Sequence, residues 1–119
     1  MTSCELNKLL IETFPNLKEA YEEEVSWQEG DDTGAHIVYG DILAPYLVRC
    51  LNEQDEDEIK KIFAFIERIL ELRYNYSEEV IAFSIIEGIA YQYKNSVLLN
   101  KHIGKLAKKL IEEIQKSNY

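Results

Sequence analysis

Residues 55–73 read DEDEIKKIFAFIERILELR and show the clearest helical pattern in the chain. Asp55 and Glu58 form a capping pattern at the start, and acidic side chains fill the first turn, where they offset the positive end of the helix dipole. The apolar side chains recur every three or four residues and so share one helix face: Ile59, Ile62, Phe63, Ile66, Ile69 and Leu70. Such a helix must bury that face against other elements.

The same periodicity continues on both sides of this segment. Upstream, it predicts a helix that begins at a Thr2–Glu5 capping box and ends before Pro15, and then helices near 15–28 and 37–53. Downstream, it predicts helices near 78–93 and 100–117, the first of them apolar on nearly all sides and therefore covered by others. No alternating strand pattern persists. The expected fold is all-α, a compact array of five or six antiparallel helices, with a solenoid-like stack left open.

Pro45 interrupts the pattern of the helix predicted near 37–53. It either bends that helix or lies in the first turn of a helix capped by Asp41. The apolar spacing continues through the proline, which favours a bend.

The length of 119 residues predicts a single helical domain over 1–119. No apolar run approaches the roughly 18 residues that span a bilayer, and the N-terminus lacks the features of a signal peptide. The two cysteines, Cys4 and Cys50, have no CxxC spacing and are expected to be reduced thiols. Together these features predict a cytoplasmic protein that does not bind a membrane.

The charge is distributed unevenly along the chain. Residues 1–93 contain 20 of the 22 Asp and Glu residues and 7 of the 13 Lys and Arg residues, whereas residues 94–119 carry a net charge of +4. The total of −9 disfavours nucleic acid as a partner and favours a basic protein. The lysines of the last helix are expected to pair with the acidic body or with carboxylates one turn away.

Motifs of known catalytic sites are missing from the sequence. There is no HExxH, GxGxxG, GxxxxGK[ST] or GxSxG, and the spacing of residues 31–42 does not fit a calcium loop. The best remaining pair is His36 with Asp41, which a bend could bring together as a general base or as two ligands of a divalent ion. We therefore predict no cofactor and no enzymatic activity, with a metal site or enzyme at His36 and Asp41 as the alternative.

Aromatic and acidic side chains are concentrated in the first half of the chain. Eight tyrosines and one tryptophan exceed what a small core holds, and tyrosine and tryptophan beside carboxylates are typical of protein-binding surfaces. The predicted partner-binding residues are Glu22, Glu23, Trp27, Asp31, Asp32, His36, Tyr39 and Asp41.

Two short motifs carry a family resemblance. Phe14-Pro15-Asn16-Leu17, the acidic helix, and His36-x-x-Tyr39-Gly40-Asp41 ahead of a helix with Leu47 resemble an uncharacterised family of small bacterial all-helical proteins. The resemblance implies an all-α fold without a recognised catalytic set, and it raises the prior for an immunity protein encoded beside a toxin. It maps a functional surface onto the four named residues of the second motif, and Pro45 departs from the usual pattern.

Three functional hypotheses follow. The first is a protein-interaction module, in its most specific form an acidic cytoplasmic immunity protein or inhibitor that blocks a basic toxin or nuclease. The second is the metal protein or enzyme centred on His36 and Asp41. The third is a homodimeric scaffold or regulator that pairs through an apolar helix face.

Overall fold

The computed structural model describes residues 1–117, and these residues form seven α-helices with no β-strand among them. The predicted all-α fold is confirmed, with seven helices where five or six were expected. None of the helices in this range is long and apolar enough to cross a bilayer.

The first two helices meet at Pro15. α1 (Ser3–Thr13) begins at the predicted capping box: the Thr2 hydroxyl accepts the Glu5 N–H at 3.1 Å, and the Glu5 carboxylate accepts the Thr2 N–H at 2.9 Å. Pro15 opens a short 3₁₀ turn, Pro15–Leu17, because its ring suits the first turn of a helix and not the interior. α2 (Lys18–Ser26) follows directly.

The third helix, α3, covers residues 35–53 and continues through Pro45. Its middle is a π-helical turn, Tyr39–Leu43, and the regular helix resumes over Ala44–Glu53. Proline lacks an N–H and its ring crowds the carbonyl four residues earlier, so a wider turn just before it gives the ring room. Pro45 therefore lies inside a helix, and the distortion at this point is a π turn.

α4 (Glu56–Glu71) is the helix predicted from residues 55–73. The Asp55 side chain caps it by accepting the Glu58 N–H at 3.4 Å. The whole predicted apolar face is buried, and Phe65 is buried with it. α4 therefore forms the centre on which the other helices pack.

Three helices complete the described chain: α5 over residues 75–92, α6 (Val97–His102) and α7 (Lys105–Ser117). α5 contains a second π-helical turn, Ala82–Ile86. The single helix predicted for 100–117 is wrong, because the backbone turns extended at Ile103 with ψ of 134°.

Glu67 of α4 explains the position of the break. Its carboxylate accepts hydrogen bonds from the backbone N–H groups of Leu106 at 2.8 Å and Ala107 at 3.3 Å. These are among the free N–H groups that begin α7, so a side chain from another helix caps α7.

All seven helices contribute to one cluster of buried apolar side chains, and α4 contacts α3, α5, α6 and α7. The described chain measures 36 × 30 × 23 Å with a radius of gyration of 13.7 Å, close to the roughly 13.5 Å of a compact domain of this length. These dimensions belong to a globule and not to the solenoid-like stack that the sequence left open.

Candidate functional site

Trp27 is the most exposed aromatic side chain among residues 1–117, with 72% of its surface accessible. It lies directly after the last residue of α2, Ser26, and one turn after Glu23 and Glu24. Glu23 is exposed, whereas Glu24 is half-buried. Tyr21 and Val25 anchor α2 to the core. The end of α2 therefore carries an exposed indole ring one turn after two glutamates, and the role of these residues in binding a partner stays a prediction.

Glu24 also meets an acidic residue from another helix. Its carboxyl group is within hydrogen-bonding range of that of Asp41, in the π turn of α3, and this contact raises the pKa of Glu24 above its ordinary value. Neither Glu23, Glu24 nor Asp41 has a cationic partner in the part of the chain that the structure describes. We call these three residues and Trp27 the Trp27 surface. Its carboxylates can attract and hold a positive charge.

Glu22 and Asp31 lie on the other flank of α2. Two residues correspond to about 200° of helix rotation, so Glu22 points away from Glu24. Glu22 is 3.8 Å from Lys18 Nζ, and the Asp31 carboxylate accepts the Tyr21 hydroxyl at 2.5 Å. The structure does not join these two predicted site residues to the Trp27 surface.

A buried asparagine of α1 orders the acidic loop near residues 28–35. Asn7 is fully buried, and its Nδ2 donates to the backbone carbonyls of Asp31 at 3.1 Å and Thr33 at 2.7 Å. Asp32 remains exposed in this loop. Asn7 is not among the predicted residues, although an amide between Leu6 and Leu10 in an apolar stripe is a signal for such a role.

The prediction that places Tyr39 on a partner-binding surface is wrong. Its side chain is fully buried, its hydroxyl donates to the Leu6 carbonyl at 2.6 Å, and its ring stacks on Phe65 with centroids 6.3 Å apart. Burial raises the pKa of this hydroxyl. The residue has a partner for its only O–H inside the core, so it holds α3 against α1 and α4.

His36 is exposed but engaged with α5. Its ring packs edge-on against Tyr76 with centroids 5.5 Å apart, and its Nδ1 is 3.3 Å from Ser84 Oγ. A β-carbon on Gly40 would lie 3.9 Å from that of Ser84, so the two π turns pack side by side. Of the four residues in the HxxYGD motif, Asp41 alone belongs to the Trp27 surface.

The alternative of a metal site or enzyme depends on a meeting of His36 and Asp41. No hydrogen bond or ion pair joins them, since His36 contacts α5 whereas Asp41 faces Glu24 on α2. Within residues 1–117, no three His, Cys, Asp or Glu side chains converge as metal ligands. The pair that this alternative needs is therefore not brought together.

A second surface feature lies between α5 and α7, where sequence reasoning placed only core. A groove of about 560 Å³ is floored by Ala82, Phe83, Leu110 and Ile114 and rimmed by Asn75, Glu78, Glu79, Glu87 and Glu113. Phe83 is 61% exposed, so the prediction that other helices cover this nearly all-apolar helix is wrong at Phe83. The available signal was the placement of Glu79 and Glu87 four residues before and after Phe83.

The fold and these surfaces define a small all-helical protein with an acidic, tryptophan-bearing face. The chain belongs to DUF7674, a family described as a domain of unknown function, whose model matches residues 7–119. The predicted membership of an uncharacterised family is thereby confirmed. Neither the curated proteins nor the solved structures include a significant match to this chain.

Proposed function

We propose that this protein is an interaction module that binds a basic partner protein through the Trp27 surface. In its most specific form it is a cytoplasmic immunity protein or inhibitor that covers a basic toxin or nuclease. The observation that carries the proposal is the exposed indole of Trp27, which follows Glu23 and Glu24 by one turn. Asp41 meets Glu24, and within residues 1–117 no cation forms an ion pair with these three carboxylates.

Because Trp27 is exposed, a partner that covers its ring would gain a large hydrophobic contribution to the binding free energy. At roughly 25 cal/mol per Å² and roughly 200 Å² for a tryptophan side chain, covering the exposed 72% is worth about 3–4 kcal/mol before the costs of association. Tryptophan is the residue type most enriched at binding hot spots. A partner that covers this ring therefore gains much of its affinity from one side chain.

The Glu24–Asp41 pair supplies the preference for a cation. Two like charges held together cost the folded chain free energy, and a partner's lysine or arginine placed between them relieves the repulsion. The total charge of −9 adds long-range attraction, which speeds association at low salt. Proteins that handle nucleic acid carry basic active surfaces, so a nuclease fits this complementarity.

The two unpaired cysteines support the proposed cytoplasmic location. Cys4 and Cys50 are free, and Cys50 is buried. Unpaired cysteines are typical of proteins that work in a reducing compartment.

Site-specific photo-crosslinking tests the proposal. A benzophenone amino acid replaces Trp27 in one variant and Val97 in a matched control, since Val97 is an apolar side chain of α6 that is 79% exposed. Both variants are irradiated in cells of the organism that encodes the protein. We expect a covalent adduct with a basic protein from position 27 only. Adducts of the same pattern from both positions, or a partner without a basic surface, would contradict the proposal.

The homodimer hypothesis remains a prediction. It requires that the mass measured by light scattering double with concentration, whereas an inhibitor of another protein has no need for self-association.

A further inference from the structure

We propose that the groove between α5 and α7 is a second binding site, and that it takes a basic amphipathic helix of a partner protein. Neither α5 nor α7 contributes to the Trp27 surface, so this site is independent of the function proposed above. Three features support it: the shape of the floor, the charge of the rim and the spacing of the acidic residues.

The floor of the groove is apolar and partly uncovered. Phe83 is 61% exposed, and Ala82, Leu110 and Ile114 flank it from both walls. A volume of about 560 Å³ lies within the range of ligand pockets. Grooves between helices receive the apolar face of an amphipathic helix, whose side chains enter at intervals of three and four residues.

The rim determines the charge of the occupant. Glu78, Glu79 and Glu87 project from the α5 wall, and Glu113 projects from the α7 wall. No cation of residues 1–117 forms an ion pair with Glu78, Glu79 or Glu87. An acidic rim around an apolar floor complements lysine or arginine residues that border an apolar stripe.

The spacing of these charges favours a helix over a small organic cation. Residues 78 and 87 are nine positions apart along α5, which is about 13 Å at 1.5 Å per residue. A single small cation cannot contact both ends of the rim at once. A helix with a lysine or arginine in each turn can contact both, because its own charges repeat every 5.4 Å.

The test measures binding of three fluorescein-labelled peptides of about 15 residues by anisotropy. The probe has a leucine stripe at helical spacing with lysines on both sides. One control peptide replaces the lysines by glutamates, and the other replaces the leucines by serines. We expect the probe to bind and both controls to bind at least tenfold more weakly, because floor and rim are both required.

Variants of the protein locate the site. Phe83→Ala removes the exposed floor ring, and Glu79→Gln/Glu87→Gln neutralises the rim. Val97→Ala and Glu19→Gln/Glu53→Gln are the controls, with an apolar truncation and the same charge change at exposed positions outside the groove. We expect at least tenfold weaker probe binding for the two groove variants and less than a twofold change for the controls.

Three results would overturn the proposal. Equal loss in Glu19→Gln/Glu53→Gln would mean that net charge alone attracts the peptide. Equal binding of the serine peptide would mean that the apolar floor is not used. A concentration-dependent dimer that Phe83→Ala dissociates would make a second copy of the chain the occupant. Trp27→Ala separates the two proposals, since it affects only the Trp27 surface.

Discussion

Glu67 Oε1 accepts a hydrogen bond from the backbone N–H of Leu106 at 2.8 Å, although 39 residues separate them in the sequence. The bond joins the C-terminal half of α4 to the first turn of α7, which forms one wall of the groove. The Glu67 side chain also occupies the space that a β-carbon on Gly104 would need. The glycine thus lets the carboxylate reach the end of α7.

This arrangement predicts a non-additive pair of substitutions. Glu67→Ala removes the cap of α7 and should lower the free energy of unfolding by about 1–2 kcal/mol. Gly104→Ala displaces the flexible Glu67 side chain and should cost a similar amount for the same reason. In urea unfolding, the double variant should be at most about 0.5 kcal/mol less stable than each single variant. Additive losses would show that the two residues act separately.

Tyr39 should matter for stability and not for binding. Tyr39→Phe leaves the ring in place but removes the bond to the Leu6 carbonyl, and should cost about 1–2 kcal/mol of unfolding free energy. Tyr74→Phe is the control, because Tyr74 is 52% exposed and should show no measurable loss. A Tyr39→Phe protein of normal stability that binds its partner poorly would restore Tyr39 to the binding surface.

The Glu24–Asp41 contact predicts that neutralising Glu24 stabilises the folded protein and weakens its binding to a partner. The pKa of Glu24 is raised in the folded state, so at neutral pH the folded chain holds a charge that it disfavours. Glu24→Gln should therefore raise the melting temperature at pH 7, and the gain should disappear below about pH 4, where Glu24 is protonated in both states. The same variant should weaken binding to the basic partner.

Glu19→Gln is the control for this experiment, because it makes the same change in net charge on the exposed side of α2. It should give no comparable gain in melting temperature. If Glu24→Gln lowers stability at pH 7 instead, the two carboxyl groups do not repel each other in the folded protein.

Glu56 has the opposite pH dependence. Hydrogen bonds from His102 at 3.1 Å and Lys101 at 3.0 Å lower the pKa of Glu56. Its contribution to stability is present above about pH 4.5 and is lost as the pH falls through the lowered pKa of the folded state. Glu56→Gln should thus be less stable than the parent protein at pH 7, with a gap that closes in acid.

Thermal unfolding from pH 7 down to about pH 2 checks this expectation. Asp57→Asn is the matched control, since it removes a carboxylate from the same helix turn at an exposed position. A stability gap for Glu56→Gln that stays constant over this range would contradict the role of the Glu56 charge.

Local pattern predicts most of the helices of this fold. The stripe of α4 and the capping box of α1 are properties of neighbouring residues, and both predictions are confirmed. The break before α7 is not local. Ile103, Leu106 and Leu110 continue a helical stripe through it, and the carboxylate that caps the helix after the break belongs to Glu67, 37 residues before Gly104.

The candidate site shows the same division. Trp27 and Glu23 are identifiable because the outer side of a helix follows from the positions of its apolar residues. The burial of Tyr39 cannot be identified in this way, because it depends on a hydrogen bond from its hydroxyl to a backbone carbonyl of α1. Phe83 reads as a core residue within an apolar helix, and only the packing of α5 against α7 leaves it uncovered.

The most direct test of the central claim is the fluorescence of Trp27, which is the only tryptophan in the chain. The basic protein recovered by crosslinking, prepared without tryptophan, is titrated into this protein at low and high salt. If the partner binds at the Trp27 surface, the emission should shift to the blue as the ring is covered. Binding should also be at least about tenfold weaker at high salt. Unchanged emission at saturating partner, while another method reports a complex, would show that binding occurs elsewhere and contradict the claim.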